Sequence, residues 1–240
     1  MISVLPVEGL PEIREGDDLG ALISRAVALE DADVVVVAQK AVSKAEGRVV
    51  RLDEVVPGEQ ARALAGERDP RHTQAILDES VRVVRERGGF IIGEARHGFV
   101  CGSAGVDASN APEQGMLVLL PLDPDASAER LRARLRELAG VGVGVVVSDS
   151  FGRAWRLGTT DVAIGTAGIR VLLDLQGSVD PAGYELHATQ IAVADEIAAA
   201  AELAMRKLAR VPAAVVRGLD VAGEGSAQEL VMPAERDLFR

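Results

Sequence analysis

The sequence has 240 residues, enough to bury a sizeable core as one large domain or two small ones. It is 48% hydrophobic and 26% charged, the balance of an ordinary soluble globular chain. A net charge of -11 with only 2% aromatic residues argues against a nucleic-acid partner, which would need clustered cations and rings for stacking.

One cysteine, Cys101, excludes an intrachain disulfide and points to a reducing, cytoplasmic setting. The opening residues MISVLPVEGLPEIREGDD lack the basic and apolar segments of a signal peptide. No apolar run approaches the roughly 18 residues of a membrane span, so no membrane partner is expected.

In chain order, strand-type and helix-type patterns alternate, which implies an α/β architecture. ISVLPV reads as a strand. GDDLGALISRAVALE reads as a helix capped by Asp17 or Asp18, with Leu19, Ile23 and Val27 on one face. DVVVVAQ (33–39) is a β-branched run that predicts a buried strand. The segment QKAVSKAEGRVV (39–50) then reads as a cationic loop carrying Lys40, Lys44 and Arg48. RHTQAILDESVRVVRER (71–87) reads as helix, and FIIGEA and GFVCGSAG as two strands joined through Arg96 and His97. MLVLLPL (116–122) predicts a buried strand. DPDASAERLRARLRELAG (123–140) predicts a helix capped by Ser127 and closed by Gly140. VGVGVVVSDS (141–150) predicts a strand, FGRAWRLGTTDVAIG (151–165) a glycine-bounded loop, TQIAVADEIAAAAELAMRKLAR (189–210) a long helix, and VPAAVVRG a last strand. No repeat or low-complexity linker marks a domain boundary.

Familiar chemical motifs are missing. There is no glycine-rich P-loop ending in Lys and Ser/Thr, and the glycines of GVGVG precede a strand where a dinucleotide fingerprint would follow one. No two histidines have zinc spacing. What remains is a set of oxygen donors and cations. Asp149 and Ser150 close an apolar strand, where α/β proteins gather ligands, and Asp107 stands in AGVDASN. Carboxylates and hydroxyls suit magnesium or manganese, although aspartates also organise turns. Lys44 and its neighbours could neutralise phosphates or simply face water. Arg153 and Arg156 flank the only Trp, Trp155, either as anion forks or as arginines snorkelling around a core ring.

Together the stretches VEGLPEIREGDDL, VVVVAQKAVSKAEGRVV, GFVCGSAGVDASN, VVVSDSFGRAWRLGTTDVAIGTAGI and ATQIAVADEIAAAAELAM resemble the coenzyme F-420-0:L-glutamate ligase family, from residue 7 to about 218. The resemblance implies a two-lobed mixed α/β gamma-glutamyl ligase fold over residues 1–240, a homodimer, and a cleft near the interface. It implies GTP-dependent addition of L-glutamate to F-420-0 through an acyl phosphate, with two magnesium or manganese ions per site. By the same resemblance Asp107 and Asp149 hold one metal, Ser150 a second, and Glu224 is a further ligand. Leu10, Pro11, Glu12, Ile13, Gln39, Lys44 and Asn110 meet the nucleotide, and the tail with Gly223, Gly225 and Ser226 closes over it. Gln39 stands where many relatives carry a hydroxyl residue. Lys44, Arg153 and Arg156 are the catalytic cations. A metal-dependent phosphohydrolase and a nucleotide-binding regulator without turnover are the rival readings.

Overall fold

The computed structural model describes residues 1–238. Its elements are β1 (Ser3–Pro6), α1 (Leu19–Ala26), β2 (Val34–Ala38), α2 (Gln39–Ala45), β3 (Val49–Arg51), α3 (Glu59–Leu64), α4 (Pro70–Glu79), β4 (Ser80–Arg87) and β5 (Phe90–Ala95). There follow β6 (Val100–Gly102), β7 (Met116–Val118), α5 (Pro124–Ala139), β8 (Gly144–Arg153), β9 (Arg156–Ala167), β10 (Leu173–Asp174), β11 (Gln190–Ile191), α6 (Val193–Met205) and β12 (Ala213–Arg217). The architecture is mixed α/β with several sheets. No helix among the described residues is long and apolar enough to cross a membrane.

The main sheet runs β1-β12-β2-β8-β9. Only β2 and β8 are parallel, in register from Val34 opposite Gly144 to Ala38 opposite Ser148. Their valines are buried on both faces, which is why both segments read as unbroken apolar runs. Val35, Val37, Val145 and Val147 join one core cluster with Leu131 and Leu135 of α5 and Ile23 of α1. Val34, Val36 and Val146 join another with Ile197, Ala198 and Ala201 of α6. Helices therefore cover both faces. Gly165 allows α5 to start against β9, since a Cβ there would stand 2.3 Å from the Pro124 carbonyl oxygen. A three-stranded sheet, β4-β5-β6, and a small β3-β7 pair lie outside the main sheet.

Six expectations change. Residues 39–45 form a helix rather than a loop, because QKAVSKA spaces Ala41 and Val42 to pack on the core while Lys40 and Lys44 point to the cavity. The helix expected over 71–87 ends at Glu79, where the valines of SVRVVRER favour the extended β4. Asp123, not Ser127, caps α5 by accepting from the Ala126 N–H at 3.0 Å. Residues 151–165 pair as the β8–β9 hairpin, which leaves Trp155 81% exposed and discards the core-tryptophan reading. The helix expected to reach residue 210 stops at Met205, and Arg206 takes a positive φ of 52°. The strand expected over 116–122 is likewise short, confined to Met116–Val118. Asp18 caps α1 and Gly140 ends α5 in the left-handed conformation, both as expected.

Candidate functional site

The chain leaves β2 and the apolar half of β8 at the same end of the sheet, and ligands collect at such carboxyl ends. A cavity of about 800 Å³ opens there. Leu10, Pro11, Glu12, Ile13, Gln39, Lys44, Asn110, Asp149 and Ser150 all line it, although they come from four distant stretches of sequence.

Asp107 stands beside this cavity, tied to its wall. The Lys40 ammonium, which lines the cavity, donates to the Asp107 carboxylate and to the Ser109 carbonyl at 2.8 Å and hydroxyl at 2.6 Å. Ser109 in turn donates its N–H to Asp107 at 2.7 Å and its hydroxyl at 2.8 Å. Burial opposes the charge on Asp107, but Lys40 and these donors outweigh it and hold the carboxyl below its ordinary value. Burial also pulls Lys40 below the usual lysine range against the attraction of Asp107.

Asp149 is the opposite case. Burial, reinforced by the like charges of Asp161 and Asp107, pushes its carboxyl up to about 7 against the pull of the Ser150 N–H and of Lys40. Asp161 itself is buried and receives the Ser148 hydroxyl at 2.8 Å and the Ser150 hydroxyl at 2.6 Å. Asp149 thus feels two further carboxylates, and a cation beside it would restore its charge.

Two further groups define the pocket. Lys44, 8% exposed, donates to Glu12 at 2.5 Å and lies 3.5 Å from the Asn110 carbonyl. Gln39 is 1% exposed; its carbonyl oxygen accepts from Ser43 at 2.8 Å, but its amide nitrogen has no partner. An unmet buried donor costs about 1–3 kcal/mol, which an oxygen of a bound ligand would recover.

Other expected residues lie elsewhere. Arg153 and Arg156 pair at the tip of the β8–β9 hairpin, where the Arg153 guanidinium donates to the Leu157 carbonyl at 3.1 Å. The tail packs beside α5: Gly223 and Gly225 donate to the carbonyls of Gly168 and Ile169, and the Ser226 hydroxyl donates to Asp125 at 2.6 Å. Glu224 is 3.8 Å from Arg132. None of these six lines the cavity.

Sequence reading missed Lys40 as the partner of Asp107, Asp161, and the turn after α6. Asp161 became visible only through the hairpin register, which sets it opposite Ser150. The turn carries Arg206, Lys207 and Arg210 along the cavity rim. Its signal was present as RKLAR, a run of cations that breaks the Ala-rich pattern.

Asp107, bonded to Lys40, and Asp149, near enough to act on Lys40 electrostatically, are hard oxygen donors of the kind a divalent cation takes. The donors expected for a second ion do not assemble, because Ser150 donates to Asp161 and Glu224 is beside Arg132. Among the described residues no three His, Cys, Asp or Glu side chains form a group able to hold a metal unaided. Buried Cys101 takes no part: burial first, and Asp149 second, push its thiol up to about 12. Intact-mass spectrometry should find the folded protein unlabelled by iodoacetamide at pH 8 and fully labelled in guanidinium; fast labelling of the folded chain would contradict this burial.

A rim of cations and buried carboxylates at the carboxyl end of a parallel strand pair is an arrangement suited, in an α/β protein, to small anionic ligands. Comparison with known proteins narrows the class. A family model described as F420-0:Gamma-glutamyl ligase matches residues 9–218, and the chain belongs to that family. It is similar to the coenzyme F420:L-glutamate ligase of Archaeoglobus fulgidus, at 48% identity over 100% of this chain and 96% of the relative. The proteins of that name from Methanopyrus kandleri and Methanothermobacter thermautotrophicus are 44% and 41% identical, each over 100% of this chain and 99% of the relative.

Proposed function

We propose that this chain is a GTP- and divalent-metal-dependent coenzyme F420:L-glutamate ligase that joins L-glutamate to F420-0 by γ-glutamyl amide bonds and works as a homodimer. Family membership and full-length likeness to proteins of that name support the reaction. The observation that carries the site is one cavity drawing together Leu10 to Ile13, Gln39, Lys44, Asn110, Asp149 and Ser150 of the residues expected to meet nucleotide and metal, with the unpartnered Gln39 amide among them.

In this reading a carboxylate oxygen of F420-0 attacks the γ-phosphorus of GTP. The bond from that phosphorus to GDP breaks, and an acyl phosphate forms. The glutamate amine then attacks the acyl carbon, phosphate leaves with the bonding pair, and the amine's surplus proton is released. Leu10 to Ile13, Gln39 and Asn110 receive the nucleotide, while Lys44 and Lys40 offset phosphate charge. Asp107 and Asp149 would hold magnesium or manganese, which supplies further charge neutralisation when bound. Arg153, Arg156, Gly223, Glu224, Gly225 and Ser226 would reach a nucleotide only from a second copy of the chain, which is where the homodimer enters.

Purified protein with GTP, glutamate, F420-0 and magnesium or manganese should yield products heavier by one or more glutamyl units, read by mass spectrometry. GTP consumption should require both glutamate and F420-0. GTP hydrolysis that ignores glutamate would favour a phosphohydrolase, and nucleotide binding with no turnover a regulator.

A further inference from the structure

The sequence resemblance implies two divalent ions, yet the acidic donors expected for the second do not assemble, and a lysine stands within reach of Asp107 on the same cavity rim. Ser150, expected to bind that second ion, spends its hydroxyl on Asp161, and Glu224 stands beside Arg132 outside the cavity. On the same rim Lys207 places its ammonium 3.9 Å from the Asp107 Oδ2, the oxygen that Lys40 also contacts. Both ammonium groups line the cavity with Asp149 and Ser150.

The backbone reinforces this placement. Arg206 ends α6 at φ 52° and ψ 140°, a conformation that L residues adopt only under constraint and that costs on the order of 1–3 kcal/mol. The abrupt bend throws Lys207 back toward the sheet end instead of along the helix axis. Arg210 repeats the positive φ, at 57°, and the turn between them keeps its cations on the cavity side. An ammonium on a tether is a point charge with three donors, and it repels a divalent ion at the same carboxylate.

We propose that Lys207 is a resident cation that takes the place of a second metal, so that each site binds one divalent ion. Resting on the metal-dependent reading above, the proposal fixes the ion count and names the side chain that sets it. Lys207 then neutralises ligand phosphate oxygens without a second hydrated ion entering the cleft.

The test counts ions rather than turnover. Metal-free protein is dialysed to equilibrium against manganese and the non-hydrolysable β,γ-imido analogue of GTP, and bound manganese per chain is read after subtracting the outer chamber. The unaltered chain should bind one ion, and Lys207→Asp, which puts an acidic donor where the ammonium stood, should bind two. Lys207 is more than half exposed, so the substitution is compatible with folding, which a melting curve checks. Two ions on the unaltered chain would overturn the proposal. One ion on both proteins would remove Lys207 as the determinant and overturn it equally. No bound ion on either, with nucleotide still bound, would instead defeat the metal-dependent reading on which the proposal rests.

Discussion

Replacing Asp149 by alanine is expected to lower ligase turnover by roughly 10³-fold, the scale of losing one preorganised electrostatic group at a reacting centre. The fold should survive the change. Asp149 is the carboxylate most strained by its surroundings, since burial and its like-charged neighbours push it up to about 7. A folded-state value raised above the unfolded one means that the native chain holds a proton which the unfolded chain releases. Its contribution is therefore neutral below about pH 4 and destabilising as pH rises toward 7. Asp149→Asn, which keeps the shape and removes the charge, should accordingly melt higher than the unaltered metal-free protein at pH 8 and equally near pH 4. Calorimetry at the two pH values with a glutamate-dependent GTP assay checks both halves. An active alanine variant would remove Asp149 from the chemistry; an asparagine variant that melts lower at pH 8 would show the carboxylate to be structural.

The second large effect is on stability alone. Arg217, at the end of β12, meets fully buried Asp33 in a bidentate pair, with both contacts at 2.8 Å. It also donates to Glu30 at 2.5 Å and to the Ala28 carbonyl at 3.2 Å. Asp33 further accepts the Glu30 N–H at 2.8 Å and leads directly into β2. Arg217→Ala strands that carboxylate without a counter-charge, at a cost of about 3–5 kcal/mol. For a chain of this size the melting temperature should fall by roughly 10 °C. Adding Asp33→Ala to the variant should return part of the loss, because the uncompensated charge goes with it. A double variant no more stable than the Arg217→Ala protein would refute that account.

Much of the sheet was legible because its valines are buried on both faces and so leave an unbroken apolar run, as in DVVVVA and GVVV. The chemistry-bearing strand ends were legible for the same reason, since Asp149 interrupts such a run. What escaped was pairing. Nothing local sets Asp161 opposite Ser150 or brings Lys40 to Asp107, which lies 67 residues away. The mistaken helix over 80–87 has a local cause: its arginines and glutamates favour helix, while packing of β4 on β5 decides the matter in favour of strand. The tail lies away from the cavity of its own chain, and sequence could not show this because Gly223, Gly225 and Ser226 fit a nucleotide turn and a structural one equally well. Asp125, which accepts the Thr166 N–H at 2.7 Å, the Ser226 hydroxyl at 2.6 Å and the Ala227 N–H at 3.1 Å, supplies the second.

The order of strands in the main sheet has a consequence for synthesis in the cell. Val34–Ala38 finds its parallel neighbour only after Ser148 has been made, and Ser3–Pro6 waits for Ala214–Arg217. During translation the early valine-rich segments therefore emerge with sticky, unpaired edges and no partner yet built. Closing such distant contacts is slow, so this nascent polypeptide should lean on holding chaperones until nearly its last strand clears the ribosome.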